Sequence, residues 1–444
     1  MARRAEVLGW RNVFLLGYLH FVALGGYFAA TTNEEVNNYV PSEHAAGVLA
    51  VAQPLFLLVY LLFDMVGRRT GSLERLVPRL NMTVTAPAIV ITSVLLTGSA
   101  LFLAAIPIGG YLGGVLGQFR GGLAASGLAL AVYFFLAQRF NPASIVLLVL
   151  SLGAGILATT VGESGRRLAL GVLIAVPWMW YFATLRLRGP IAVSTSLLAI
   201  GTAGVIALAV YGSVRHQDAG FGGGGRAAID VGTRAEQISE LISNPRFEAR
   251  MLDNLIYTDT SHNTMFIIDT YPNQYDVHPL NDATYIITNP IPRALWPDKP
   301  RGLGDRLRDE MGTVANLGPG IIGHAWASWM WLGIVGYAAA FGIAFGVLDR
   351  ALRHRIDSPF FIAASGAGMG NMVAMARGDV ALFVIQVVTA VLITVVIMVV
   401  IAAILEPITR AFPPLRRPGK QPADHSAEDD YEQWSDYGFE SEDA

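Results

Sequence analysis

Apolar residues gather along this chain in runs of roughly 17 to 25, and a helix of that length crosses about 30 Å of hydrocarbon. The runs predict helices near 12–30, 45–66, 86–107, 122–138, 142–160, 168–185, 190–212, 321–348, 358–376 and 380–405. About ten such segments predict an all-α polytopic membrane protein, because a helix satisfies its own backbone groups inside lipid. On this reading residues 1–212 hold the first seven transmembrane helices and 213–320 form a large extracytoplasmic loop. Residues 321–406 hold the last three helices, and 407–444 form a disordered acidic cytoplasmic tail.

The loop opens on Gly220 to Gly225, a stretch that lacks the preceding strand and the spaced Gly-Lys-Ser/Thr of a phosphate-cradling turn and so predicts a hinge. Thr233 with Glu236 makes a capping box ahead of Ile238, Leu241 and Ile242. Asn244 and Pro245 suit the start of a second helix through Phe247, Met251 and Leu255. Two amphipathic helices are therefore expected over the membrane face, as a lid or vestibule. In the tail, Tyr431, Trp434, Tyr437 and Phe439 stand among acids, with a docking motif as the alternative to a solvated segment.

Charge orients the bundle. Counting from a cytoplasmic N-terminus puts Arg3, Arg4, Arg68, Arg69, Arg75, Arg79, Arg139, Arg186, Arg188, Arg350, Arg353, Arg355, Arg410, Arg416, Arg417 and Lys420 inside, the positive-inside pattern. The first external connection, Thr31 to His44, carries Glu34, Glu35 and Glu43 without Lys or Arg. Both termini are then expected in the cytoplasm. Arg3, Arg4 and the apolar stretch to Ala30 resemble a signal peptide, but the stretch is long and includes His20, so an uncleaved first helix is expected.

With 53% hydrophobic and 15% charged residues and a net charge of −3, the chain lacks the concentrated basic surface of a nucleic-acid binder. The absence of cysteine excludes disulfides, thiolate metal sites and cysteine nucleophiles.

Cations on the external side run against the bias and are the first candidates for function. Arg120 follows the third helix, Arg166 and Arg167 follow Gly162 to Gly165, and Arg377 opens Arg377-Gly378-Asp379. The long loop adds Arg293 and Lys299 within the proline-stiffened stretch Asn289 to Pro300. Arg293, Trp296 and Lys299 recur at every third residue and share a side in a polyproline-like or tight helical turn. Two cations beside an indole suit an anionic head group next to a sugar, and a loop pinned by salt bridges to Asp298 or Asp305 is the alternative. His262, His278 and His324 lie on the same side without metal spacing. Asp259, Asp269, Asp276 and Asp282 are loop acids.

The segment Ile291-Pro292-Arg293-Ala294-Leu295-Trp296-Pro297-Asp298-Lys299-Pro300 resembles the Pro-Arg-x-x-Trp-Pro-x-Lys-Pro signature of bacterial oligosaccharide repeat-unit polymerases, the Wzy or O-antigen polymerase type. The likeness extends to Gly165-Arg166, to Pro319-Gly320-Ile321-Ile322-Gly323 followed by Leu332-Gly333, and to Arg377-Gly378-Asp379. His324 stands where many relatives carry Glu, which puts a carboxylate role there in doubt.

The resemblance implies a membrane glycosyltransferase with a GT-C-like fold in the bacterial cytoplasmic membrane, acting on undecaprenyl diphosphate-linked oligosaccharide at the outer face. It implies no metal or other cofactor, and as partners membrane lipid and a chain-length regulator protein. Arg293, Arg377 and His324 become the expected catalytic residues, and Arg120, Arg166, Arg167, Trp296, Lys299 and Asp379 the expected substrate-binding ones. The arginines would clamp the donor's diphosphate while His324 or a loop aspartate takes the proton of the attacking hydroxyl. An O-antigen ligase-type transferase and a lipid-linked oligosaccharide transporter are the alternatives.

Overall fold

The computed structural model describes residues 6–32, 35–36, 39–78, 80, 82–106, 110–160, 166–199, 201–202, 259–313 and 317–418. The glycine hinge, the two amphipathic helices and the tail beyond residue 418 lie outside them, whereas the start of the tail, expected from 407, is ordered: residues 407–409 complete the last helix and the Leu415 N–H donates to the Val84 carbonyl at 2.7 Å. The chain is an all-α polytopic membrane protein, with eight helices long and apolar enough to cross a bilayer and no strand among the described residues.

The first crossing joins α1 (Trp10–Tyr18) and α2 (Gly25–Thr32) through a wide π-helical turn, Leu19–Leu24. It is followed by α3 (Glu43–Arg69), α4 (Ala86–Ala105), α5 (Gly110–Ala137), α6 (Pro142–Thr160) and α7 (Arg166–Ala183). α8 (Pro190–Ala199) covers the described part of the span expected at 190–212. Three short helices, α9 (Thr260–Thr270), α10 (Asn281–Thr288) and α11 (Leu303–Glu310), belong to the large loop. Then come α12 (Gly320–His354), α13 (Pro359–Gly366), α14 (Met369–Ala374) and α15 (Val380–Thr409). Side-chain caps start several of them, as Ser42 does for Ala45 N–H at 3.0 Å and Asp379 for Leu382 N–H at 3.1 Å.

Two expectations need correction. α5 begins at Gly110, well before the 122 expected, so Arg120 lies inside a crossing helix and not in a connection. Glycines and a cation lower the local hydropathy of 110–122, but α5 is the central helix, packed on α4, α6, α7, α13 and α15, and burial overrides the weak local signal. The crossing expected at 358–376 is made by α13 and α14, interrupted between Gly366 and Met369. It still links the two ends of the bundle, from the Asp357–Arg417 ion pair to the bond that Ile321 N–H donates to the Ala376 carbonyl.

α12 is also interrupted. Trp329 and Met330 leave the helical region, Met330 at φ 52°. In a straight helix, residues eight apart stand about 12 Å apart along the axis. Here a Cβ on Gly333 would lie 1.8 Å from the Ala325 carbonyl oxygen, and the Ser328 and Tyr337 hydroxyls are 3.1 Å apart. The arm before the break folds onto the arm after it, and only the second, residues 331–354, is free to cross the bilayer. Its length of about 36 Å suffices. That arm packs on α3 through Gly342 and Gly346, whose Cβ positions fall 2.5 Å from the carbonyls of Tyr60 and Asp64. This is the small-xxx-small contact by which membrane helices bring their backbones together.

The same two helices end in a buried charge cluster. Arg68 pairs with Asp64 at 2.9 Å and with Asp349 at 3.3 Å, Arg11 reaches Asp64 at 3.4 Å, and Arg350 and His354 share Glu74. This arginine-rich end is the basic end of the bundle.

Candidate functional site

At the opposite end, three polar turns meet. They are the start of α9, the approach to α12 at Leu317 to Gly320, and the link between α14 and α15. Asn263 donates to the Gly318 carbonyl at 3.2 Å, Thr264 to the Pro319 carbonyl at 2.8 Å and Thr260 to the Arg377 carbonyl at 3.4 Å. Side-chain hydroxyls and amides of α9 thus satisfy carbonyls that no helix ladder serves. α9 is itself held to the first hairpin, since Asp269 accepts from Tyr39 at 2.5 Å and from Ser42 at 2.6 Å.

The turn 375–379 presents Arg377. The residue keeps exposed surface, while its surroundings desolvate the guanidinium and push it below the usual arginine range, and it stands 5.6 Å from the centre of the Phe21 ring, a cation–π contact. Phe21 and His20 belong to the wide turn Leu19–Leu24, and the charge of Arg377 acts on His20 and on the exposed Asp259. Among the described residues no carboxylate comes within ion-pair distance of it.

Arg293 and Lys299 are placed differently from expectation. The Arg293 guanidinium donates to the carbonyls of Pro297, Lys299 and Pro300 at 3.3, 2.8 and 3.0 Å, and Lys299 Nζ donates to those of Asn289 and Ile291 at 2.8 and 3.0 Å. Lys299 is 4% exposed, and burial together with the charge of Arg293 pushes its ammonium below the usual lysine range. The shared outward face of Arg293, Trp296 and Lys299 is therefore corrected. A proline-rich stretch cannot satisfy its carbonyls through a regular ladder, and the two cations close the loop on itself. Trp296 remains partly exposed at 38%. Arg293→Lys, which leaves one ammonium for three carbonyls, is expected to cost about 1–2 kcal/mol of local loop stability, read as faster amide hydrogen exchange over 293–300.

His324 is fully buried and both ring nitrogens are engaged. Nδ1 lies 2.6 Å from Asp282 Oδ2, and Nε2 accepts the Val380 N–H at 3.0 Å. An acceptor at Nε2 places the proton on Nδ1, facing Asp282. The Tyr337 hydroxyl donates to the same Asp282 oxygen. Burial alone would raise the Asp282 carboxyl, but His324 beside it and hydrogen bonds from His324, Tyr337 and Asn281 hold it below the usual carboxylate range. Asp379 caps α15 and also accepts the Gly304 N–H at 3.0 Å, tying α11 to the group. The expected roles of His324 as base and Asp379 as substrate ligand are corrected in this geometry. They form a hub that holds α10, α11, α12 and α15 together.

Arg120 is buried at 7% within α5, and Arg166 and Arg167 form the first turn of α7, where their side chains lie outside the described residues. Arg120, Arg293 and Arg377 occupy three separate settings: helix interior, loop clasp and exposed turn. The four-arginine clamp gives way to Arg377 at its own site.

Arg306, Glu310 and Tyr271 were missed from the sequence. Arg306 sits one turn before Glu310 on α11, its Nε buried with no hydrogen-bond partner among the described residues. Glu310 accepts the Tyr271 hydroxyl at 2.8 and 3.0 Å, and burial pushes its carboxyl up. Arg301 and Arg308 beside it are paired with Asp309. The chain matches no family model, no curated protein and no solved structure.

Proposed function

We propose that this chain is a membrane glycosyltransferase, a polysaccharide repeat-unit polymerase that transfers a growing glycan from undecaprenyl diphosphate to another lipid-linked repeat unit at the outer face of the bacterial cytoplasmic membrane. The observation that carries the reading is Arg377, a guanidinium that no carboxylate among the described residues pairs with, at the end of the bundle away from the basic end. The positive-inside bias makes that end the outer one and puts both termini in the cytoplasm.

A guanidinium there suits a diphosphate leaving group, to which it offers paired hydrogen bonds and charge as the bond breaks. The acceptor hydroxyl oxygen forms the new bond to the anomeric carbon, the bond from that carbon to the diphosphate breaks, and the diphosphate keeps the electron pair. The hydroxyl proton passes to a base. Asp259, exposed and within the field of Arg377, suits that role better than His324, whose ring nitrogens are both taken.

The interrupted helices favour a second reading, a lipid-linked oligosaccharide transporter, because breaks in α12 and between α13 and α14 resemble the discontinuous helices that transporters use. Purified protein in liposomes with lipid-linked repeat units separates the readings. Elongation without an ion gradient is expected. Translocation without elongation would favour transport, and transfer only to a different acceptor would favour the ligase.

A further inference from the structure

Most arginines described with side chains at the end away from the basic end have a visible structural task. Arg293 clasps three carbonyls, and Arg301 and Arg308 pair with acids. Arg377 rests on Phe21. Arg306 has none of these. Its Nε is buried, and among the described residues none accepts from it and no carboxylate stands within ion-pair distance.

The acid one turn along the helix is positioned as if to leave it open. Glu310 follows Arg306 by four residues, the spacing at which a helical Arg and Glu pair readily. Glu310 instead turns both oxygens to the Tyr271 hydroxyl. Tyr271 is held in place in turn, 1% exposed, with its carbonyl accepting from Trp326 Nε1 at 3.3 Å. The other residues within the field of Arg306 are His278 and His324, and His278 is fixed by its N–H bond to the Ala327 carbonyl at 3.1 Å. The result is a guanidinium in a partly desolvated setting, one helical turn from a carboxylate that is engaged elsewhere. Desolvation strengthens a charge-assisted bond to any anion that replaces the lost water.

We propose that Arg306, Glu310 and Tyr271 form an anion-binding site for an acidic sugar, whose carboxylate or phosphate pairs with Arg306 and whose neighbouring hydroxyl donates to Glu310. The site is separate from Arg377, which faces Phe21 and α9. It goes beyond the polymerase reading and does not depend on it, because a transporter or ligase of acidic glycans would use it equally.

The test is binding, not turnover. The full chain in lipid nanodiscs is titrated with glucuronate, glucose 1-phosphate, inorganic phosphate and glucose, following the thermal midpoint. Glucuronate or glucose 1-phosphate is expected to protect, and glucose is not. Preference for the sugar acid over inorganic phosphate supports a glycan site, whereas equal protection by phosphate alone overturns the sugar part. Arg306→Gln is expected to weaken protection about tenfold or more, the loss of a charge-assisted pair, while Arg301→Gln leaves it unchanged. Glu310→Gln removes the competing negative charge and is expected to tighten binding about threefold or more. That variant keeps the proposal testable if Arg306→Gln does not fold. Arg377→Ala should retain the Arg306-dependent protection, so failure of the polymerase reading and of this site are told apart. Protection unaffected by Arg306→Gln, or absent with every probe, overturns the site.

Discussion

Membranes carrying Arg377→Ala are expected to accumulate single lipid-linked repeat units and to lose the ladder of longer glycans. The expected fall in the elongation rate is at least about a hundredfold, the scale found when one group stabilising a developing anion is removed. Arg377 stands on Phe21 without a carboxylate partner among the described residues, so its charge is available to an oxyanion that grows as the glycosidic bond breaks. Removing it frees no buried acid, and so the fold should survive. Arg377→Lys keeps a charge but loses the planar fork, and an intermediate rate is expected. Phe21→Leu removes the ring beneath the guanidinium and should lower elongation less than Arg377→Ala does. Glycan length on a polysaccharide gel, with protein level matched by immunoblot, reads all three. A full ladder from Arg377→Ala would detach this residue from the chemistry.

The helices were legible because lipid imposes one rule, a run of apolar residues long enough to cross, and α3, α4, α6, α7 and α15 obey it to within four residues at each end. The departures arise where packing replaces lipid. α5 is enclosed by other helices, and its glycine-rich first half needs no hydropathy because protein surrounds it. The breaks in α12 and after Gly366 leave no apolar deficit in the sequence, so a window of hydropathy passes over them. Only tertiary contacts, such as Ser328 with Tyr337, make the fold-back stable.

The site was legible in kind more than in detail. An arginine against the charge bias led to Arg377, and the same test applied to residues 301–310 would have found Arg306. Charge alone could not separate Arg306 from Arg301 and Arg308, because the sequence does not say which aspartate pairs with which arginine. Nor could it show that Arg293 and Lys299, the most distinctive cations of the loop, spend their donors on carbonyls of their own segment. His324 and Asp282 are forty-two positions apart, and nothing local announces their contact. The wide turn that offers Phe21 to Arg377 is likewise a product of packing, since Leu19 to Leu24 reads as ordinary helix.

That hub sets up the second large effect. Asp282→Ala strands two donors at once, the Nδ1–H of a fully buried His324 and the hydroxyl of Tyr337, with little room for water to replace the carboxylate. A loss of about 2–5 kcal/mol is expected, since each buried donor left unsatisfied costs about 1–3 kcal/mol. Tyr337→Phe deletes a single donor and leaves Asp282 with His324, for a cost of about 1 kcal/mol. Asp282→Asn keeps one acceptor and should fall between. The carboxyl is held below its usual range in the native protein, so its contribution is complete above the unfolded value and fades as pH falls through the depressed native one. Stability of the parent should therefore decline across that acid window more steeply than that of Asp282→Asn, which has no proton to gain. Thermal unfolding in detergent from neutral to acid pH measures both the offset and the slope. Parallel slopes would mean that Asp282 does not carry its charge in the folded chain, and the hub would then rest on hydrogen bonding between neutral groups.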